Sequence, residues 1–284
     1  MQILSSLEAI AADYDAVFCD VWGVVHNGRR AYGPACAALT RFRARGGVVI
    51  LVTNVPKPRG PIPAQFERLG VPRAAWDAIV TSGDAIRAEL AARAPGPMYK
   101  IGPESDAPLW DGLGIARTQA IEEAAFLGVS GLDMEGREQP SDYADVLARA
   151  RARDLTLLCA NPDIVVRVGE RLIWCAGALA RDYEALGGAV VMAGKPYAPI
   201  YDLARRELAM LAGRDIASAR ILAIGDGVPT DVRGANQQGL DALFIASGMH
   251  GEALMSNGAL DPAKAEAALA AEGVTARYVM AALA

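Results

Sequence analysis

Short apolar runs alternate along this chain with longer segments whose polar and apolar residues mix as they do in helices. Val17–Asp20 and Val48–Val52 have the length and β-branched character of buried strands. Between them, a helix is predicted from Pro34, which suits a first helical turn, to Arg45, just before Gly46-Gly47. This order predicts βαβ units and a mostly parallel sheet, and therefore an α/β fold.

The same alternation continues to about residue 246. Further strands are predicted at Ala78–Thr81, Met98–Ile101, Ala125–Val129, Leu155–Cys159, Leu172–Cys175, Arg220–Ile224 and Ala242–Ala246. Further helices are predicted at Gln65–Leu69, Asp84–Ala94, Ser141–Arg153, Gly177–Leu186, Pro199–Leu211 and Asp231–Gln238. No internal repeat interrupts the pattern.

Two breaks divide the pattern. Ala94-Pro95-Gly96-Pro97 ends the first set of alternating strands and helices. The same kind of alternation resumes after Gly194-Lys195-Pro196. A chain of 284 residues is long for a single hydrophobic core. We therefore predict a core formed by residues 1–86 and 191–284, with a smaller α/β domain inserted at 87–190.

Composition narrows the function classes. The chain is 52% hydrophobic and 21% charged, so it can bury a large core. Its net charge is −5 and it has no run of Lys and Arg, which argues against nucleic acid as a partner. The absence of a long apolar stretch and of a cationic, apolar leader argues against a membrane span and a signal peptide. Scattered cysteines without CxxC spacing predict buried thiols rather than disulfides or zinc ligands, so a cytoplasmic protein is expected.

Four polar segments follow predicted strands or open predicted helices. They are Asp20-Val21-Trp22-Gly23, Val52-Thr53-Asn54, Gly194-Lys195-Pro196 and Gly225-Asp226-Gly227-Val228-Pro229-Thr230-Asp231. Each alone has an ordinary explanation: a turn, a helix cap, a loop with a solvated lysine, or an N-capped helix. The last segment is the most specific, because it carries two acids five residues apart directly after an apolar strand.

Taken together, the four segments predict a phosphoryl-transfer site. Asp20 and Asp226, on strand ends, can hold one Mg²⁺, which prefers few carboxylates together with water and phosphate oxygens. Thr53 and Lys195 can bind a phosphoryl group, one through its hydroxyl and the other through its charge. Asp20 is then placed to attack phosphorus and form an aspartyl-phosphate.

The order and spacing of these motifs resemble the haloacid dehalogenase superfamily over the whole chain. The insert, with Asn161-Pro162-Asp163 and the later Gly194-Lys195-Pro196, resembles the class IIA branch, which includes p-nitrophenylphosphatase-like and pyridoxal-phosphate-phosphatase-like enzymes. The resemblance implies a Rossmann-like parallel-sheet core with an inserted class IIA (C2) α/β cap at 87–190. It also implies a Mg²⁺-dependent hydrolase.

The resemblance assigns roles to individual residues. For the metal, it implies Asp20, the carbonyl of Trp22, Asp226 as a direct carboxylate ligand and Asp231 as a supporting acid.

For the phosphate, it implies that Thr53 and Lys195 bind and assist catalysis, that Asn54 adds a phosphate or nucleophile contact, and that Asp20 is the nucleophile. The cap residues Asn161 and Asp163 are candidate substrate contacts.

Trp22 departs from the family pattern, and the chain resembles a subgroup with Asp-Val-Trp-Gly at this point. Phosphatases of the family usually carry a second Asp here, which protonates the leaving oxygen and activates water. An indole N–H only donates, so Trp22 can do neither. Losing a general acid/base costs about 10²–10⁴-fold in rate, so we expect weakened turnover and a preference for good leaving groups.

Two histidines are candidates near the site. His26 lies in a turn that the family uses as a flap, where it either substitutes for the missing acid, contacts substrate or simply packs. His250 follows the Ala242–Ala246 strand and is a weaker candidate for a substrate contact.

The leading hypothesis is a phosphatase of a small phosphorylated metabolite that works through phospho-Asp20. The alternative is a binding or regulatory protein that kept the fold but lost efficient catalysis, with dehalogenation ranked last. Self-association through the cap is expected by analogy only.

Overall fold

A computed structural model describes residues 1–168, 171–248, 251–256 and 259–284; the candidate His250 lies outside these ranges. The strands are β1 (Gln2–Ile3), β2 (Ala16–Cys19), β3 (Val48–Thr53), β4 (Ala78–Thr81), β5 (Met98–Ile101), β6 (Arg117–Thr118), β7 (Phe126–Val129), β8 (Thr156–Cys159), β9 (Val165–Val168), β10 (Arg171–Trp174), β11 (Ala189–Met192), β12 (Ile221–Gly225), β13 (Asp241–Ile245), β14 (Met255–Ser256), β15 (Ala259–Leu260) and β16 (Tyr278–Met280). The helices are α1 (Gly33–Ala44), α2 (Ile62–Leu69), α3 (Ser82–Ala91), α4 (Ala144–Ala152), α5 (Ala176–Ala185), α6 (Ala198–Ala212), α7 (Arg233–Gln237) and α8 (Pro262–Ala271).

The chain forms two compact units. The first contains Met1–Thr53, Ile62–Val80 and Tyr201–Ala284, and the second contains Asn54–Pro61 and Thr81–Ile200. The predicted division of the sequence into a core and a cap at 87–190 stays a prediction. Among the described residues, no helix has both the length and the apolar character needed to cross a bilayer.

The first unit is built on a seven-stranded sheet in the order β1-β16-β13-β12-β2-β3-β4. β2 pairs in parallel with β12 on one side and β3 on the other. After the edge strand β1, the chain enters the middle of the sheet at β2, builds outward through β3 and β4, and later returns to the other side of β2 with β12. Such a reversal of strand order is the place where open α/β sheets bind ligands. The predicted α/β fold with a parallel, Rossmann-like sheet is confirmed.

The second unit has its own five-stranded parallel sheet, in the order β11-β8-β7-β5-β6. Its interior is apolar; Leu127, Leu157, Leu179 and Tyr183 are fully buried in one cluster. Continuous apolar strands are typical of parallel sheets that are covered on both faces.

Several elements differ from the sequence expectations. Seven of the strands given above were not predicted: β1, β6, β9, β11, β14, β15 and β16. Leu172–Cys175 is a strand, but as β10 it pairs antiparallel with β9 in a separate hairpin. The helix expected at Asp231–Gln238 starts later, at Arg233, because a π-helical turn occupies Val228–Val232. Helix α8 was not predicted, since its alanine-rich sequence carries almost no amphipathic pattern.

The four cysteines are buried thiols, as predicted. Burial raises the pKa of Cys36 and raises that of Cys159 to about 12. These thiols therefore stay protonated at neutral pH and act as small apolar side chains.

Candidate active site

Three polar residues of the first unit follow neighbouring parallel strands. Cys19 lies between Ile224 and Leu51 in the register of the sheet. The next residue, Asp20, donates its main-chain N–H to the carbonyl of Ile224 at 2.8 Å. Asp226 and Thr53 lie one residue beyond the level of Asp20 on the two flanking strands. The register thus brings these three residues to one edge of the sheet, and all three are buried.

Asp231 completes a group of three acids with Asp20 and Asp226, which we name the carboxylate cluster. One oxygen from each carboxylate lies within 4.8 Å of the others. All three residues are less than a tenth exposed. Like charges at such distances repel strongly when they are removed from water. Buried, convergent carboxylate oxygens are the donor set of hard divalent cations such as Mg²⁺, so these residues fit a metal.

The π-helical turn explains how Asp231 reaches the carboxylate cluster. Its carboxylate Oδ2 accepts the main-chain N–H of Gly227 at 3.0 Å, four residues earlier. Gly225 lies so close that a Cβ there would be 2.1 Å from the Asp231 Cγ. Single π turns occur often at functional sites, where they redirect a side chain.

Two glycines enclose the Asp226 carboxylate. A Cβ on Gly23 would lie 2.2 Å from the Asp226 Oδ2, and a Cβ on Gly248 would lie 1.9 Å from it. Gly23 also has a φ of +85°, a conformation that other residues rarely adopt. Tyr32 is close as well, since burial and then the Asp226 charge raise its pKa. The sequence motifs assign no role to these three residues, although Gly23 belongs to the Asp20-Val21-Trp22-Gly23 segment.

The second unit joins four other predicted site residues through hydrogen bonds. The Asn54 side-chain Oδ1 accepts the main-chain N–H of Lys195 at 2.7 Å, and its Nδ2 donates to the Lys195 carbonyl at 3.1 Å. The same Nδ2 donates to the Asp163 Oδ1 at 2.9 Å. Asp163 in turn donates its main-chain N–H to the Asn161 Oδ1 at 3.0 Å. We name this set, formed by Asn54, Asn161, Asp163 and the main chain of Lys195, the amide network.

The amide network bears on three sequence predictions. Both N–H groups of the Asn54 amide are engaged, so a phosphate contact by this residue would use its main-chain N–H. Asn161 and Asp163, predicted as substrate contacts, direct their side chains to partners within the second unit. Lys195 is buried, and its predicted role toward phosphate stays a prediction.

Trp22 packs inside its own turn. Its ring meets the edge of His26 with 5.3 Å between centroids. A Cβ on Gly28 would lie 2.4 Å from the Trp22 Cη2, so the indole lies directly over this glycine. The Gly23 main-chain N–H also donates to the His26 carbonyl at 2.9 Å, which closes the turn. The indole is held by its own loop and remains only partly buried.

His26 is almost fully buried between aromatic rings. Phe66 also contacts its ring, with 5.9 Å between centroids and an edge-to-face arrangement. Its Nδ1 accepts the Gly28 main-chain N–H at 3.1 Å, so the neutral ring carries its hydrogen on Nε2. Burial lowers the pKa of His26 to about 4. At pH 7 only about one molecule in a thousand carries the protonated ring. This favours the packing role over the role of general acid.

Comparison with known proteins agrees with this geometry. Residues 17–116 match the haloacid dehalogenase-like hydrolase family, and residues 192–275 match a second HAD-hydrolase-like family. A crystal structure of a haloacid dehalogenase-like hydrolase from Brucella suis is 46% identical, with a TM-score of 0.88, over 99% of this chain and 100% of that one. The chain belongs to the haloacid dehalogenase-like family.

More distant relatives carry more specific names. This haloacid dehalogenase-like chain is 27% identical to the D-glycerol 3-phosphate phosphatase of Mycobacterium tuberculosis, over 86% of the chain and 66% of that protein. It is 28% identical to the glycerol-3-phosphate phosphatase of Gallus gallus, over 85% and 82% of the two chains. A glycerol phosphate phosphatase from M. tuberculosis, crystallised with magnesium, shares the fold at 24% identity and a TM-score of 0.62, over 87% and 73%.

Proposed function

We propose that this protein is a Mg²⁺-dependent phosphatase of small phosphorylated metabolites, of class IIA with the cap at 87–190. The observation that carries the proposal is the carboxylate cluster: three buried acids with oxygens within 4.8 Å, on the sheet edge where β3 ends in Thr53. The phosphatase names of the M. tuberculosis and chicken relatives support it.

Each residue of the site has its own role in the proposed reaction. A bound Mg²⁺ would offset the charge between the carboxylates and the phosphoryl oxygens. The Asp20 carboxylate attacks phosphorus, an Asp20–phosphorus bond forms, and the leaving oxygen departs with the electron pair of the bond that breaks. Thr53 donates its hydroxyl and Lys195 supplies positive charge to the phosphoryl group. Water then attacks phosphorus, and Asp20 is released with inorganic phosphate.

Trp22 limits the rate of this reaction and the leaving groups that it can use. The indole occupies the position of the family's second Asp and has no proton-accepting group. His26 does not replace it, because its ring is buried and neutral at pH 7. Leaving-group protonation is left to water or substrate, so aryl and acyl phosphates should react faster than alkyl phosphates. Both formation and hydrolysis of the aspartyl-phosphate lack the usual assistance.

A leaving-group series with Mg²⁺ tests this proposal. Rates for phenyl phosphates should rise steeply as the phenol becomes more acidic, and glycerol 3-phosphate should be slower than any of them. Acid quenching after reaction with ³²P-labelled substrate should trap phosphate on Asp20, located by peptide mapping. Rates that do not vary with the leaving group would disprove the missing-acid argument, and turnover without trapped label would argue against slow dephosphorylation.

A second candidate is a binding or regulatory protein that no longer turns over substrate, and Trp22 is the feature that favours it. The two candidates separate on a panel of phosphorylated metabolites with Mg²⁺, with Asp20→Asn as the blank. Binding of a phosphorylated compound with no release of phosphate above that blank would establish the second candidate.

A further inference from the structure

The contacts of Asn54 tie its side chain to the main chain of Lys195, 141 residues away in sequence. One amide oxygen and one amide nitrogen pair with the N–H and the carbonyl of the same residue, at 2.7 and 3.1 Å. Such a two-point contact fixes both the position and the tilt of the Lys195 peptide. Because both residues are less than a twentieth exposed, water cannot easily replace these bonds.

Asp163 fixes the direction in which the Asn54 amide points. An amide could turn over and exchange its oxygen and nitrogen, since the two ends have the same shape. The Asp163 carboxylate accepts, and the Lys195 N–H donates, so only one orientation satisfies both. Asp163 is held in turn by Asn161 and by the Gly177 main-chain N–H, which donates to the Asp163 carbonyl at 3.1 Å.

The packing around Gly194 leaves the amide little space in which to shift. A Cβ on Gly194 would lie 2.6 Å from the Asn54 Oδ1, 2.5 Å from the Ser82 Oγ and 2.7 Å from the Pro162 Cδ. A residue larger than glycine at position 194 would therefore collide with the Asn54 side chain, which also holds Lys195.

We propose that Asn54 is a positioning residue for Lys195, and that Asp163 acts through Asn54 by setting the orientation of its amide. This inference rests on the proposed function, because it assumes that Lys195 binds phosphate. It differs from the expectation that Asn54 contacts phosphate or the nucleophile and that Asp163 contacts substrate, since both act through the main-chain geometry of Lys195.

A double-mutant cycle on phosphate binding tests the inference. The probe is inorganic phosphate with Mg²⁺, measured by calorimetry on the full chain. Asn54→Ala should weaken phosphate binding by about 10- to 100-fold, the range expected when buried hydrogen-bonding groups lose their partner. In a Lys195→Ala background, Asn54→Ala should change phosphate affinity by less than about two-fold, because the side chain that Asn54 positions is absent.

Asn236 offers a matched control. Its Nδ2 donates to the Thr275 carbonyl and its Oδ1 accepts the Thr275 N–H, both at 2.8 Å. Asn236→Ala removes the same pair of bonds in the first unit and should leave phosphate affinity unchanged. Equal losses from Asn54→Ala and Asn236→Ala would overturn the inference.

Variants at Asp163 give a second measurement if Asn54→Ala does not fold. Asp163→Asn keeps an oxygen that can accept the Asn54 N–H and should stay within about three-fold of the wild type. Asp163→Ala should weaken phosphate binding, and only while Lys195 is present. With 4-nitrophenyl phosphate, Asp163→Ala should lower kcat more than it raises KM.

The outcomes separate the two proposals. Phosphate binding by the wild type, with additive losses in the cycle, would overturn the positioning role and leave the phosphatase intact. A wild type that binds no phosphate would remove the proposed function, and the role of Asn54 with it.

Discussion

The carboxylate cluster and the amide network are both made of buried polar side chains, but their members relate to one another in opposite ways. In the amide network each donor meets an acceptor: the Asn54 amide bonds to Asp163 and to both main-chain groups of Lys195. In the carboxylate cluster three acceptors of the same charge face one another within 4.8 Å. The first arrangement stabilises the fold by itself, whereas the second brings together like charges whose repulsion a bound cation would reduce.

The difference shows which group of residues depends on a bound ligand and which does not. Complementary amides order a loop whether or not a ligand is present. Converging carboxylates repel one another, and a bound metal cation would reduce that repulsion. Substitutions that exchange a carboxylate for an amide should therefore have much larger consequences in the carboxylate cluster than in the amide network.

The largest effect is expected from Asp20→Asn. It should lower phosphatase turnover by about 10⁴-fold or more, because it removes the proposed nucleophile. The same exchange in the amide network, Asp163→Asn, should cost only a few-fold, since an amide oxygen still accepts from Asn54. Steady-state rates with 4-nitrophenyl phosphate measure both. Comparable losses would mean that the carboxylate of Asp20 has no special role.

Trp22→Asp should have the next largest effect, in the opposite direction. Supplying the missing acid beside the carboxylate cluster should raise turnover of alkyl phosphates by about 10²- to 10⁴-fold. It should also flatten the dependence on the leaving group. Trp22→Phe is the control, because it opens similar space over Gly28 without adding an acid. A gain with Phe equal to that with Asp would assign the effect to space rather than to proton transfer.

Much of the carboxylate cluster could be predicted from the sequence, because local pattern and sheet topology determine it together. A short apolar run identifies a strand, a crossover sets the parallel direction, and the carboxyl ends of parallel strands share one edge. Asp20, Thr53 and Asp226 follow from that logic alone. The π-helical turn that brings in Asp231 does not, because it depends on Gly225 and Gly227 leaving space for the returning carboxylate.

The amide network could not be predicted in the same way. Its contacts join residues 109 and 141 positions apart, and no local periodicity encodes which amide meets which main-chain group. From sequence, Asn54 therefore suggested a phosphate or nucleophile contact and Asp163 a substrate contact, while the structure places their side chains against each other. His26 is a similar case: its residue type suggested proton transfer, but its burial between Trp22 and Phe66 depends on packing.

His26 should also give the first unit an acid sensitivity that is separate from the carboxylates. The pKa of His26 is lowered to about 4 in the folded state, against about 6.5 when exposed. Between those values the unfolded chain takes up a proton that the folded chain does not. Stability is therefore retained above pH 6.5 and falls by about 3 kcal/mol as the pH drops to 4.

His26→Phe should remove this contribution, because Phe can fill the aromatic contacts without titrating. Urea unfolding of both proteins between pH 7 and 4 measures the difference, and the acids present in both cancel. A difference that stays constant with pH would show that the histidine is not buried as a neutral ring.

Binding of Mg²⁺ without substrate should distinguish the carboxylate cluster from the amide network most directly, although the expected change in stability is smaller. At 100 times its Kd, Mg²⁺ should add about 2.7 kcal/mol to the free energy of unfolding, because it binds only the folded carboxylate cluster. The Asp226→Asn variant should lose most of this gain. In EDTA it should be more stable than the wild type, because it lacks one of three repelling charges. Asn54→Ala should show the reverse: lower stability in EDTA and an undiminished gain with Mg²⁺. Thermal unfolding of the wild type and the two variants, each with Mg²⁺ and with EDTA, gives all six values. If Asn54→Ala lost the Mg²⁺ gain as fully as Asp226→Asn, the amide network would belong to the metal site and the distinction between the two would fail.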